Sequence, residues 1–464
     1  MKRMHYIMAV WGEDFTEFFL TYSLPNQLSA NNLKACRFNE ASCYQIYTTR
    51  KYAEMINSHA SIDRLRKLIC VNIHVLDSCG EQYLEVKGPH EAMNAFHRHA
   101  INCAAENNAY LVFLAPDALI SDGTLPALER YASDGKQCVL VSGIRTVKEN
   151  IVYQLSAWPR SEGGDLSFCG RDLVDLLLQH PHPTTSALFW EEETFSNNWP
   201  SQLYWRVSDK AILAHCWHLH PIMIKAHPGI ANTHSTIDGA YLDQAIVDQS
   251  LAHIVTDSDE ICVIEASKYD HGRENYVNTA PPDIESNLLW ISLHTRPIHR
   301  HFFSRGLLFR GTGCQSGDFD NTADRAKQIV DRLLADSRLS LADRVINDFE
   351  ELRDYGKIFV FGAGNAGRQF RRLAEDNQMM VAGFVDSNRT GWVDGLPLIH
   401  INNLRDHISE GDAVIVVSQY RREIYKNLRD LKIEPVLDGL EVYQKLANSG
   451  GESGSILQWS AGAG

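Results

Sequence analysis

Lys357-Ile-Phe-Val-Phe361 is a short apolar run that passes directly into Gly362-Ala-Gly364-Asn-Ala-Gly367. The spacing G-x-G-x-x-G gains meaning from this setting, because the pattern binds phosphate only between a strand and a helix. The first glycine permits the tight turn, the second lets backbone approach a phosphate, and the third lets the helix pack on the strand. Free N–H groups at the helix start then face an anion. Residues 368–375 read as that helix, with Phe370, Leu373 and Ala374 on one face. A second strand over 379–385 ends at Asp386, where a ribose hydroxyl would be accepted. The nearly continuous apolar run 412–417 is a strand with both faces covered. A helix over 424–431 and a strand near 434–437 complete the alternation. These residues define a small Rossmann-like α/β domain over 355–446. Gly362, Gly364, Gly367 and Asp386 are its candidate nucleotide contacts. In the alternative reading the glycine turn serves packing alone.

Phe359-Val-Phe-Gly-Ala-Gly-Asn-Ala-Gly367 and Gly383-Phe-Val-Asp-Ser-Asn388 resemble the small nucleotide-binding domain of bacterial sugar O-acetyltransferases. Such a domain is also appended to some glycosyltransferases and methyltransferases. The resemblance implies binding of a nucleotide or nucleotide-sugar phosphate and no chemistry of its own. No Tyr-x-x-x-Lys pair follows the motif, which argues against a short-chain dehydrogenase.

Outward from this domain, 464 residues exceed one typical core, so two or more domains are expected. Hydrophobic residues at 44% and charged residues at 22% describe a globular chain. The balance is acidic, with 44 Lys plus Arg against 58 Asp plus Glu and a formal charge of -14. No clustered basic run offers a face for nucleic acid. The opening residues carry Lys2 and Arg3 before a short apolar run, but Trp11-Gly-Glu-Asp14 cuts it short, so a buried strand is expected rather than a signal peptide. No run approaches the ~20 apolar residues that cross a bilayer. The ten cysteines show no C-x-x-C and no zinc-like pairing, which predicts reduced thiols and a cytoplasmic setting.

The N-terminal two-thirds also alternates. Strands are expected at 6–10, 44–47, 71–75, 110–114 and 139–141, with helices over 16–30, 50–58 and 91–106. That spacing predicts βαβ crossovers and a largely parallel sheet. From 142 to 310 the pattern is irregular and rich in His, Trp and Pro, and reads as long loops laid over the sheet. The expected division is 1–310 as the main domain, 311–354 as a helical connector, 355–446 as the Rossmann-like domain and 447–464 as a flexible tail.

Within that sheet, Tyr110-Leu-Val-Phe-Leu114 delivers Ala115-Pro-Asp117 to a carboxyl edge, where ligands of open α/β sheets gather. A carboxylate there can hold Mg²⁺ or Mn²⁺ together with a diphosphate. The arrangement resembles the GT-A glycosyltransferase fold, in which a strand ends in an Asp-x-Asp motif. This chain departs from the motif at Ala115, so Asp117 would act alone or with Asp122, Asp77 or a histidine. In the ordinary reading Pro116-Asp117 merely starts a turn. His215-Cys-Trp-His-Leu-His-Pro221 forms a third cluster, near His227, His234 and Asp238. On one strand, His218 and His220 would share a face. The GT-A resemblance implies a late ligand completing the metal shell, for which His220 is the candidate. Asp238 is the candidate for orienting or deprotonating an acceptor hydroxyl, beside His218. His180-Pro-His182-Pro reads as an extended loop.

The resulting expectation is a glycosyltransferase that moves a sugar from a nucleotide-sugar donor to a polysaccharide, lipid or protein acceptor, with homo-oligomerisation open. Two other readings stand beside it: a non-catalytic scaffold or sensor of the same fold, and an NAD-dependent sugar-modifying enzyme.

Overall fold

The chain starts with a strand because Met4, Tyr6 and Met8 are fully buried on one face while Ile7 is buried on the other. In the computed structural model, residues 2–76, 89–227, 236–246, 248–276, 279–315, 319–338, 342–346, 348–418, 420–440, 442–443 and 459–461 are described. Asp77 and His234 lie outside them. The described chain is α/β with mostly parallel sheets. It divides into two compact units, one formed by 1–282, 302–328 and 456–464, the other by 283–301 and 329–455.

In the first unit, β1 (Met4–Ala9), β2 (Cys43–Thr49), β3 (Cys70–Leu76) and β4 (Tyr110–Leu114) are parallel in the spatial order β4-β1-β2-β3. The helices Arg50–Asn57 and Pro89–Glu106 are crossovers between these strands. The predicted helix over 16–30 begins earlier, at Glu13, and passes through a π-helical turn at Phe19–Ser23. Beyond β4 come β5 (Ala118–Ile120), β6 (Cys138–Val141) and β7 (Gly143–Val147).

The stretch 142–310 is not the set of long loops expected from its composition. It builds β8 (Phe195–Ser196), β9 (Gln202–Ser208), β10 (Ala211–Cys216), β11 (His220–Lys225), β12 (Ala252–Ile254), β13 (Val263–Ser267), β14 (Thr279–Ala280) and β15 (Leu307–Arg310). β11 inserts antiparallel between β4 and β6, and β12 adds parallel to β6. β13 sits between β5 and β7, parallel to β7. β9, β10 and β15 form an antiparallel sheet. Histidine, tryptophan and proline concealed these strands because several are short and buried on both sides, so no alternation reaches the sequence. Trp205 and Trp217 are fully buried there. Of the closing stretch, Trp459–Ala461 pairs antiparallel with β3.

The second unit has β16 (Arg344–Val345), β17 (Ile358–Phe361), β18 (Val381–Asp386), β19 (Gly391–Val393), β20 (Leu396–His400), β21 (Ala413–Val416) and β22 (Val436–Asp438). Their order is β16-β22-β21-β17-β18-β20-β19, and only β19 runs antiparallel to its neighbour. Alternate residues feed two cores, Ile358, Val360, Phe370 and Ile415 on one face and Phe359, Phe361, Val414 and Leu428 on the other. Burial on both faces is why these strands read as continuous apolar runs.

Candidate functional site

Asp117 stands three residues past β4, at the carboxyl edge of the first unit's main sheet. Its carbonyl accepts the Ala266 N–H at 2.9 Å, which ties the turn to β13. On β13, register pairs Glu265 with Ala118 of β5 and with Arg145 of β7. Three strands thus bring Asp117, Glu265 and Arg145 together. Gly143 makes room for the carboxylate, since a Cβ there would lie 2.7 Å from Glu265 Oε1. Arg145 Nε donates to Glu265 Oε2 at 3.4 Å.

Burial, and then the neighbouring Glu265 charge, push the Asp117 carboxyl up to about 7, against the pull of Arg145 and Lys148. Two carboxylates that share a site resist joint ionisation, so Asp117 keeps its proton to a higher pH than an ordinary carboxyl. The cations already present follow strand ends as well. Lys148, the residue after β7, donates from Nζ to the Asp14 carbonyl at 3.1 Å. Lys268, the residue after β13, is ion-paired with the Asp14 carboxylate. Asp14 itself belongs to the segment leaving β1. Residues that follow β1, β4, β7 and β13 therefore converge on one mixed-charge edge.

Ala115 supplies no second carboxylate, and the carboxylate that the structure sets beside Asp117 is Glu265. Sequence reasoning missed it. The available signal was one acidic residue inside the apolar stretch Ile261-Cys-Val-Ile-Glu-Ala266. Asp122 does not join the site: its carboxylate accepts from Ser29 Oγ at 2.9 Å and Asn31 Nδ2 at 3.2 Å, and also from Ser167 Oγ.

A second cluster lies along the same strand. His220, the first residue of β11, donates from Nε2 to the Phe113 carbonyl at 2.9 Å. The His97 ring meets the Phe113 ring edge-on with centroids 5.0 Å apart. Burial, assisted by His220 and opposed by Asp238, takes the His97 imidazole down to about 3. The structure thus brings His97, His220 and Asp238 together, with Asp238 in the turn before the helix Ala240–Ala245. His97 was not a sequence candidate. His218 does not share a strand with His220, because β10 ends at Cys216 and a bend separates the two strands. His215 is structural: Nδ1 donates to the Phe303 carbonyl at 2.8 Å, and the side chain is buried. His182 is buried and spans Thr184 Oγ1 and the Lys268 carbonyl.

Among the described residues no group of three or more His, Cys, Asp or Glu side chains is arranged to hold a metal ion. The Asp117 and Glu265 pair fits a smaller demand. Mg²⁺ and Mn²⁺ sites use one or two carboxylates and complete their shell with phosphate oxygens and water.

In the second unit, Gly362 has φ +95°, and a Cβ on Gly367 would collide with the Gly362 carbonyl. These two glycines are required by turn and packing. Gly364 is different, since a Cβ there meets nothing within 4 Å and open space lies over it. Asp386, the expected ribose acceptor, is already engaged. It accepts from the Asn388 and Arg389 N–H groups at 2.9 and 3.1 Å and from Arg389 Nε and Nη2 at 3.0 and 2.6 Å. Burial would raise this carboxyl, but Arg389 and the two amides hold it below its usual range.

No known protein family matches the sequence, and no curated protein matches it. Solved structures do. A putative glucose-1-phosphate thymidylyltransferase from Bacillus anthracis, in complex with a sucrose, is 14% identical over 31% of this chain and 55% of that one, with a TM-score of 0.19. Mouse xyloside xylosyltransferase 1, in its apo form, is 9% identical over 33% of this chain and 57% of that one, with a TM-score of 0.23. The chain spans little more than half the length of either, and similarity this low carries no argument about activity. No helix among the described residues is long and apolar enough to cross a membrane.

Proposed function

We propose that the first unit is a glycosyltransferase moving a sugar from a nucleotide-sugar donor to a carbohydrate-bearing acceptor, with its reacting centre beside Asp117. The observation that carries this reading is the facing pair Asp117 and Glu265, flanked by Arg145 and Lys148 at a sheet's carboxyl edge. Such an edge is where open α/β folds bind nucleotides. The pair also removes the main ground for a non-catalytic scaffold, the missing first carboxylate.

In this reading Asp117 and Glu265 hold Mg²⁺ or Mn²⁺, which when bound neutralises the departing diphosphate. Arg145 and Lys148 add positive charge where the leaving phosphate gathers negative charge. His220 is not arranged with this pair as a third ligand among the described residues, so its proposed place in the metal shell would be taken up only on ligand binding. Because its Nε2–H serves the Phe113 carbonyl, only Nδ1 is left for that role. Asp238 is the proposed acceptor for the proton of the attacking hydroxyl, and His218, in the segment before β11, is proposed as its catalytic partner. Holding donor and acceptor in line supplies most of the remaining acceleration. In the second unit, Gly362, Gly364 and Gly367 are proposed as an accessory nucleotide site, with open space over Gly364 as the support. Asp386 contacts a ribose there only if Arg389 releases it.

The test is thermal-shift screening with UDP-, GDP- and CMP-sugars, with and without Mn²⁺, alongside NAD, followed by assay of nucleoside diphosphate release. Stabilisation and release that both vanish in Asp117→Asn and Glu265→Gln support the proposal. Binding without release indicates the scaffold. A shift with NAD alone moves the chemistry to the second unit.

A further inference from the structure

One face of the β2–β3 pair, away from the Asp117 edge, collects thiols. Side chains alternate along a strand, so Cys43, Gln45 and Tyr47 share a face of β2. Parallel register sets Cys43 against Cys70 and Tyr47 against His74. The Tyr47 and His74 rings stack with centroids 4.5 Å apart, which fixes that register through side chains as well as backbone. Gln45 bridges the strands, donating from Nε2 to Cys43 Sγ at 2.8 Å, with its Oε1 2.6 Å from His74 Nε2. The helix Pro89–Glu106 packs over this face. Its His99 Nδ1 is 3.1 Å from Tyr47 Oη and 3.7 Å from Cys103 Sγ. All three cysteines are free thiols. Cys70 is exposed, and Cys43 and Cys103 are half-buried.

Directly registered residues on neighbouring strands stand roughly 4.7–4.9 Å apart. That separation falls within the ~4.4–6.8 Å between Cα atoms that a disulfide bridges. Both side chains leave the sheet on the same side. We propose that Cys43 and Cys70 are a modification site, forming a reversible disulfide when the protein meets hydrogen peroxide and so stapling β3 to β2.

The exposed Cys70 reacts first. Its thiolate sulfur attacks peroxide, an S–O bond forms as the O–O bond breaks, and hydroxide leaves. Cys43 then resolves the sulfenic acid. The S–S bond forms, the S–O bond breaks, and the hydroxyl leaves as water with the Cys43 proton. Two electrons pass from the two thiols to peroxide, and two waters result. Burial pushes the Cys43 thiol up to about 12, so Cys43 is not the first to attack peroxide. Transient disulfides of this kind occur in otherwise reducing compartments.

The experiment treats the reduced full-length chain with about one equivalent of hydrogen peroxide, blocks remaining thiols and maps peptides without reductant. The expected product has lost two hydrogens and contains a peptide joining Cys43 to Cys70. Dithiothreitol reverses it, Cys103→Ser retains it, and Cys43→Ser or Cys70→Ser abolishes it. Over-oxidation of Cys70 with no cross-linked peptide overturns the proposal, as does a cross-link that uses Cys103 instead.

Discussion

Asp117 carries a folding cost at the site where the chemistry is proposed. Its carboxyl is raised from 3.8 to about 7 by burial and by Glu265. The folded state therefore binds a proton that the unfolded state has released between about pH 4 and 7. The sign follows directly: stability is fullest below the unfolded value and declines as pH rises through 7. Asp117→Asn removes the cost. It should stabilise the protein at pH 8 by on the order of 1–3 kcal/mol, a figure discounted because the site is half-buried. The same change should lower nucleoside diphosphate release by about 10²–10³-fold, as expected on losing one charge-stabilising contact. Urea unfolding at pH 8 and a turnover assay check the two halves. A stabilised variant with unchanged turnover would leave Asp117 as a strained but idle group. Asp117 was legible in the sequence because β4 is a clean five-residue apolar run that ends where the turn begins. Glu265 was not, since only the pairing of β13 with both β5 and β7 brings it there.

At the scale of elements, the glycine turn separates two glycines that backbone and packing require from one that they do not. Gly362→Ala places a side chain at φ +95°, and Gly367→Ala drives a methyl into the Gly362 carbonyl. Each should cost about 1–3 kcal/mol. Gly364 has φ -79° and ψ -170°, which any residue adopts, with open space beyond. Gly364→Ala should change stability by less than about 0.5 kcal/mol. Loss of a nucleotide-induced thermal shift in this variant alone would show that backbone approaches a phosphate there. A retained shift would leave the turn as packing. The carboxyl end of β22 holds a different device. Asp438 and Arg421 form an ion pair with side chains only 8% and 11% exposed, and Asp438 also accepts the Leu440 N–H at 2.9 Å. Asp438→Ala strands a buried guanidinium and should destabilise the second unit by about 3–5 kcal/mol, measurable by urea unfolding. The sequence announced the glycine turn because its requirements are local. It was silent on this pair, whose members lie on separate elements.

Across the whole molecule, two cores predict two unfolding transitions, since each compact unit buries its own apolar faces. Calorimetry should show Gly367→Ala lowering one transition and leaving the other in place. Acid response is also a global property. Burial takes His5 and His74 down to about 4 and His97 to about 3, so the unfolded chain binds protons that the folded chain refuses. Stability is thus lost as pH falls from about 6.5 toward 4, opposite in sign to Asp117. Three histidines outweigh one carboxyl, and net acid destabilisation is expected. Asp117→Asn should steepen it, which urea midpoints from pH 4 to 7 would reveal. By itself the sequence determined the α/β class, the strands β1 to β4, the glycine turn and the delivery of Asp117 to a sheet edge. Each follows from neighbours within about ten residues, through side-chain periodicity and backbone sterics. Only the tertiary structure decided that 142–310 forms sheets, that Glu265 faces Asp117, that Asp386 is held by Arg389, and that Cys43 meets Cys70. Those outcomes depend on which strands pair and in what register, and pairing is selected by burial summed over distant segments, which no local window of residues contains.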